Sequence, residues 1–213
     1  MGRRALPAID PAIDLSPYLY TFEQLQPWDP DSLFASGQPL EIEVGSGKGL
    51  FMQRAALQFP EHNFLGIEIA RKYARFSAYR LAQQQLSNAV MVAGDAHRIF
   101  RELVPDASLA AIHIYFPDPW WKMRHKKRRV LNEWFAAQIE RTLLPGGALH
   151  FWTDVQEYYD SGLDILAGAT GLRGPLPVAE EPPDTEMDYR THFERRTRLH
   201  GEPVYRSEFR KGT

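Results

Sequence analysis

Short apolar runs alternate with helix-length amphipathic segments from Leu40 almost to the C-terminus, and this order restricts the possible folds more than any other feature. Strand-like runs fall at 40–44, 63–69, 89–93, 109–116 and 146–153. Helical patterns fill 49–59 (stopped by Pro60), 71–86, 97–103, 130–143 and 155–167. The run at 109–116 is nearly all apolar, as expected of a strand buried on both faces. Strands alternating with helices predict an α/β fold: a mostly parallel central sheet with right-handed crossovers and helices on both faces. In such sheets ligands bind outside the carboxyl ends of the strands, near the point where strand order reverses.

The flanking segments read differently. Residues 1–38 carry Pro17, Tyr18, Tyr20, Phe22, Pro27, Trp28 and Pro30 and read as an irregular N-terminal arm, leaving 39–213 as one domain. Residues 171–189 are proline-rich and acidic and read as an irregular connection, whereas 198–209 alternates as a last strand or hairpin would. With 213 residues the chain is long enough for a sizeable single core. It has no cysteine, which excludes disulfides and thiolate metal sites. No apolar run approaches the roughly 18 residues of a membrane span, and residues 1–10 lack the apolar core of a secretory signal. The expectation is a cytoplasmic protein without a membrane partner, either a monomer or a homodimer.

The first strand runs into Glu43-Val44-Gly45-Ser46-Gly47-Lys48-Gly49. Glycines let a backbone turn sharply and approach a ligand, although a tight loop with no ligand uses them too. A phosphate-binding P-loop fails here, because Lys48 is followed by Gly49 and Ile42 stands where an upstream glycine is needed. A dinucleotide fingerprint wants its third glycine one residue later, at Leu50. An acid ahead of Gly-x-Gly-x-Gly suits S-adenosylmethionine, whose amino group and sulfonium are cationic. The second strand ends in Gly66-Ile67-Glu68, where an acid can accept both ribose hydroxyls. The third is followed by Gly94-Asp95-Ala96, where a carboxylate could hold an adenine amino group. One such acid is commonly a surface charge, but three acids ending three successive strands resemble the Rossmann-like class I methyltransferases.

The fourth strand ends in Phe116-Pro117-Asp118-Pro119-Trp120-Trp121, and both prolines are expected to hold Phe116 and Asp118 extended. The basic run Lys122-Met123-Arg124-His125-Lys126-Lys127-Arg128-Arg129 follows at once. Net charge is only −2, which alone argues against a nucleic-acid binder, yet segregated cations can build a local positive field. A charge run is commonly a solvated face; placed directly after the strand-end loop, this one favours nucleic acid. Six phosphate contacts would weaken binding roughly a thousandfold from low to moderate salt.

At this point the resemblance becomes specific. Phe116-Pro117-Asp118-Pro119-Trp120-x-Lys122-x-Arg124-His125-x-Lys127-Arg128-Arg129 is similar to the signature of the bacterial tRNA (guanine-N7-)-methyltransferases, and Thr153-Asp154 and Thr191-His192-Phe193-Glu194 match as well. The similarity covers about 40–213, with His192 where the family commonly has lysine. It implies methyl transfer from S-adenosylmethionine to a guanosine N7 in the variable loop of tRNA. It further implies that Glu43, Glu68, Asp95 and Asp118 contact the cofactor around Gly45, Gly47 and Gly49. Asp118 is implied as the catalytic residue, and Lys122, Asp154, Thr191, His192, Phe193 and Glu194 as substrate contacts. Two rivals remain from the residues alone. One is a methyltransferase of another RNA base, a small molecule or a protein; the other is a non-catalytic RNA-binding module on this fold. The seven histidines show no close ligand spacing, so no metal is expected.

Overall fold

The computed structural model describes residues 6–34, 37–120, 123–180 and 189–213. Eight strands form one sheet in the order β1-β4-β3-β2-β5-β6-β8-β7. The strands are β1 Leu19–Thr21, β2 Leu40–Val44, β3 Asn63–Glu68, β4 Ala89–Ala93, β5 Leu109–Tyr115, β6 Leu143–Thr153, β7 Arg173–Pro177 and β8 Tyr205–Arg210. The first six pair in parallel, and β8 lies antiparallel to both β6 and β7. The chain moves outward from β2 through β3 to β4 and then returns to place β5 on the other side of β2. The order therefore reverses between β2 and β5, and a crevice opens there.

The helices are α1 Leu50–Gln58, α2 Arg71–Gln83, α3 Ala96–Glu102, α4 Glu133–Thr142, α5 Gln156–Ala169 and α6 His192–Leu199. Strand alternation decides which face each covers. Ile42 and Val44 of β2, Ile112 and Ile114 of β5, and Leu149 and Phe151 of β6 pack with Ile99, Phe135, Ile139 and Tyr158 from α3, α4 and α5. On the opposite face Phe64, Met91, Tyr115 and Trp152 pack with Phe51, Met52 and Ala55 of α1 and with Ala78 and Leu81 of α2. Asn132 starts α4 by accepting the Phe135 N–H at 3.0 Å, so this helix begins three residues later than the apolar pattern suggests. No helix among the described residues is long and apolar enough to cross a membrane.

Two segments expected to be irregular contribute strands. Residues 19–21 pair with β4, and Phe22, Leu25 and Phe34 bury themselves in the core. Residues 173–177 add the opposite edge. Both strands are short and lie at sheet edges, where pairing on one side needs little alternation and tolerates proline. The 198–209 tail supplies β8, preceded by α6.

Candidate active site

The glycine loop closes the C-terminal end of β2. Gly45 and Ser46 N–H donate to the Ile67 carbonyl at 2.8 and 3.2 Å. Gly45, Gly47 and Gly49 all have left-handed φ, of 84°, 53° and 72°, which L-residues with a Cβ rarely adopt. Gly49 is doubly required, since a Cβ there would lie 1.8 Å from Ser77 Oγ of α2. Glu68 ties the loop to the next turn: Oε2 accepts Gly47 N–H at 2.9 Å and Oε1 accepts Ala70 N–H at 2.7 Å. Each oxygen keeps a lone pair for a further donor.

Glu43 ends β2 with its side chain buried, 3% exposed, and Oε2 has no hydrogen-bond partner. Burial pushes its carboxyl up to about 8, opposed by Ser46 and reinforced by the Glu68 charge. A carboxyl left this way fits a cationic group brought by a ligand. Asp95 is exposed and caps α3, Oδ1 accepting His97 N–H at 2.9 Å, which fixes its direction at the end of β4. Between Glu68 and Ala70, Ile69 stands 76% exposed, an apolar surface suited to a flat ring. Sequence reasoning missed Ile69, although an apolar residue directly after a strand-ending acid was the signal.

The loop after β5 departs from expectation at its first residue. Phe116 precedes a proline yet has φ of 50°, left-handed rather than extended, and Trp120 has φ of 47°. Backbone strain of about 1–3 kcal/mol per such residue persists only where the surroundings impose it. Here Phe116 N–H donates to the Trp152 carbonyl at 2.8 Å, and its ring stacks on Phe193 at 6.3 Å with 17° between planes. The loop is clamped from below by Arg129, only 6% exposed. Its Nε donates to the Pro119 carbonyl at 2.8 Å, Nη1 to Ser161 Oγ at 3.1 Å and Nη2 to Glu157 at 2.5 Å, over the Tyr158 ring. Arg129 is thus a structural clamp and not one of six phosphate contacts. Arg124 and Arg128 are exposed, Arg128 lying 5.1 Å over the Trp120 ring and His125 edge-on to it. Asp118 is exposed at the tip of the loop. Lys122 lies outside the described residues, as do the side chains of Lys126 and Lys127.

The remaining residues gather beside this loop. Asp154 follows the end of β6, half-buried. Thr191 caps α6, accepting Glu194 N–H at 3.0 Å, while buried Glu194 accepts Arg190 N–H at 2.7 Å. This is close to a reciprocal capping box, so both side chains set the start of α6. His192 meets Arg80 at 2.7 Å, and Phe193 is 46% exposed. Behind them runs a buried chain that composition could not reveal. Burial pushes the His113 imidazole down, keeping it neutral. Its Nε2–H then donates to Glu41 at 2.6 Å, and Nδ1 accepts from Tyr115 hydroxyl at 2.9 Å, which itself accepts from Arg190 at 3.2 Å. The Arg190 guanidinium lies 4.9 Å over the Trp152 ring. The glycine loop, Glu43, Glu68, Asp95, Asp118 and Asp154 thus share one rim of the sheet.

Comparisons with known proteins bear on the family and the fold. A family model described as "Putative methyltransferase" matches residues 37–207. The tRNA (guanine-N(7)-)-methyltransferase of Rhodopirellula baltica is 49% identical over 99% of this chain and 80% of its own length. That of Myxococcus xanthus is 38% identical over 88% of this chain and 91% of its own. Among solved structures, the 16S rRNA methyltransferase KamB superposes with a TM-score of 0.61 at 17% identity, covering 90% of this chain and 93% of that one. This likeness extends to the fold, a Rossmann-like class I methyltransferase sheet. The chain belongs to the tRNA (guanine-N(7)-)-methyltransferase family.

Proposed function

We propose that the chain transfers a methyl group from S-adenosylmethionine to N7 of a guanosine in the variable loop of tRNA. The single observation that carries this reading is the buried Glu43 carboxyl beneath the glycine loop, its Oε2 without a hydrogen-bond partner among the described residues, on the strand next to the one that runs into the strained Phe116–Trp120 loop. Relatives bearing this activity in their names align over nearly the whole chain. Glu43 would receive the amino group of the methyl donor, Glu68 its ribose hydroxyls and Asp95 its adenine amino group, with Gly45, Gly47 and Gly49 admitting it closely. Ile69 would cover the adenine. S-adenosylmethionine, when bound, supplies an electrophilic sulfonium methyl.

Guanine N7 already carries an exposed lone pair, so no base is needed to create the nucleophile. Positioning the two reactants can supply on the order of 7–11 kcal/mol. The purine gains positive charge as the bond forms. A carboxylate about 4 Å away favours that charge by roughly 4 kcal/mol at an effective dielectric near 20. Asp118, in the loop after β5, would take this role, with Asp154 after the end of the neighbouring β6 as the second candidate. Lys122, Asp154, His192 and Phe193 would form the substrate side, Phe193 offering an exposed ring for stacking, while Thr191 and buried Glu194 would act by setting the start of the helix that carries them. The enzyme acts in the cytoplasm as a monomer or homodimer, with 39–213 as the catalytic unit and 1–38 as the arm that completes its sheet.

The test is incubation with labelled methyl donor and unmodified total tRNA, followed by mapping of the labelled nucleotide. Label on guanine N7 in the variable loop is expected. Label on another atom, or none in RNA, overturns the assignment.

A further inference from the structure

A second cationic surface lies away from the 122–129 run. Helix α2 begins Arg71-Lys72-Tyr73-Ala74-Arg75, with no acidic residue in its first turn. Arg71, Lys72 and Arg75 are all exposed, and none makes an ion pair or hydrogen bond among the described residues. The positive end of the helix dipole disfavours Arg71 and Lys72 in the first turn, and the three cations repel one another. Lys72 lies 5.1 Å over the Tyr73 ring, while the charges of Arg71 and Arg75 meet no partner among the described residues.

The three side chains form one wall of a groove of about 1050 Å³, whose other wall is the N-terminal arm, at Leu6, Pro7, Ile9, the stretch 11–16 and Leu19. The arm is anchored to the sheet just after this wall: Met91 N–H donates to the Tyr18 carbonyl at 2.9 Å, and β1 pairs with β4. The single acid in the lining, Asp14, is turned onto Ser16, accepting its N–H at 2.9 Å and its hydroxyl at 2.8 Å. Three cations against one occupied carboxylate leave the groove net positive. Helix α2 follows the C-terminal end of β3, so its first turn stands on the same rim as Asp118 and exposed Arg124 and Arg128. Two strand spacings, roughly 10 Å, separate the ends of β3 and β5.

We infer that Arg71, Lys72 and Arg75 with the N-terminal arm form a second docking groove for the phosphate backbone of the RNA substrate. The inference rests on the RNA reading of the rim, and deepens it. An RNA whose base reaches Asp118 continues across the rim into this groove, so the arm serves binding as well as the sheet. Phosphate recognition here is independent of sequence.

The test compares wild type with the triple variant Arg71→Gln, Lys72→Gln, Arg75→Gln, both full-length. Binding of unmodified tRNA transcript is measured from about 50 to 300 mM salt, together with thermal melting, S-adenosylmethionine affinity and the site of labelling. Three lost phosphate contacts flatten the log–log salt slope by about 2 and weaken binding on the order of a hundredfold near 0.1 M salt. Melting, cofactor affinity and turnover at saturating tRNA stay at wild-type values. An unchanged slope and affinity overturn the groove while wild-type labelling at guanine N7 still stands. A wild type that binds tRNA without labelling N7 overturns the proposed reaction and leaves the slope comparison readable. A variant that loses melting temperature or cofactor affinity assigns the cations to the fold and also overturns the groove.

Discussion

Glu43 keeps an ionisable carboxyl in the interior with one oxygen unpaired. Its folded value near 8 exceeds the ordinary 4.5, so the folded chain binds this proton more tightly than the unfolded chain. The resulting stability is complete below about pH 4.5, declines as pH rises, and is gone above about pH 8. Every pH unit between those two values costs about 1.4 kcal/mol, so the ligand-free protein should lose several kcal/mol across that window. Glu43→Gln should remove this component, melting higher than wild type at pH 8 while binding S-adenosylmethionine tenfold or more weakly. Calorimetry at pH 5 and pH 8 checks it; parallel pH profiles for the two proteins would contradict the burial. Phe193 makes the opposite case, half-exposed and stacked on strained Phe116. Phe193→Ala should leave melting nearly unchanged and reduce kcat/KM for tRNA about tenfold, within the 1–3 kcal/mol of a lost base stack. A large fall in melting temperature with unaltered kinetics would make the ring structural.

Among the elements, the Arg129 clamp joins the target loop to α5 across the chain. Arg129→Ala should cost about 2–3 kcal/mol, the value of buried hydrogen bonds to a charged group, and also reduce turnover as the loop loosens. Arg129→Lys should rescue little, because an ammonium cannot reproduce the planar fork. Melting and single-turnover rates of both variants decide it, and full rescue by lysine would show that charge alone matters. This clamp also marks where the sequence stops being legible. The run 122–129 presents like charges in a row, and only the three-dimensional partners Glu157 and Ser161, 28 and 32 residues away, single one out for burial. Strands β2 to β6 were readable because central strands must be apolar or alternate. β1 and β7 were not, because three to five residues at an edge carry too little pattern. The glycine loop and strand-end acids were readable because backbone turns and strand ends constrain residue type locally. The left-handed Phe116 was not, since its geometry is imposed by β6 and α6 against the local preference of a residue before proline.

At the scale of the molecule, a slightly acidic chain of net charge −2 still places a set of exposed cations where the parallel strands end. Arg124 and Arg128 lie beyond β5, and Arg71, Lys72 and Arg75 beyond β3. The same rim bears Glu43, Glu68 and Asp95, so the sites proposed for methyl donor and RNA share one edge of the parallel sheet. Binding of tRNA should therefore depend steeply on salt while S-adenosylmethionine binding does not. All of this converges on Asp118, the carboxylate proposed to meet the purine as it becomes cationic. The most direct test is single-turnover methyl transfer by Asp118→Asn with both ligands saturating and their binding measured separately. Loss of roughly 4 kcal/mol of charge stabilisation predicts a rate lowered about a thousandfold with tRNA affinity and melting temperature retained. A variant that binds both ligands and transfers methyl at the wild-type rate would contradict it.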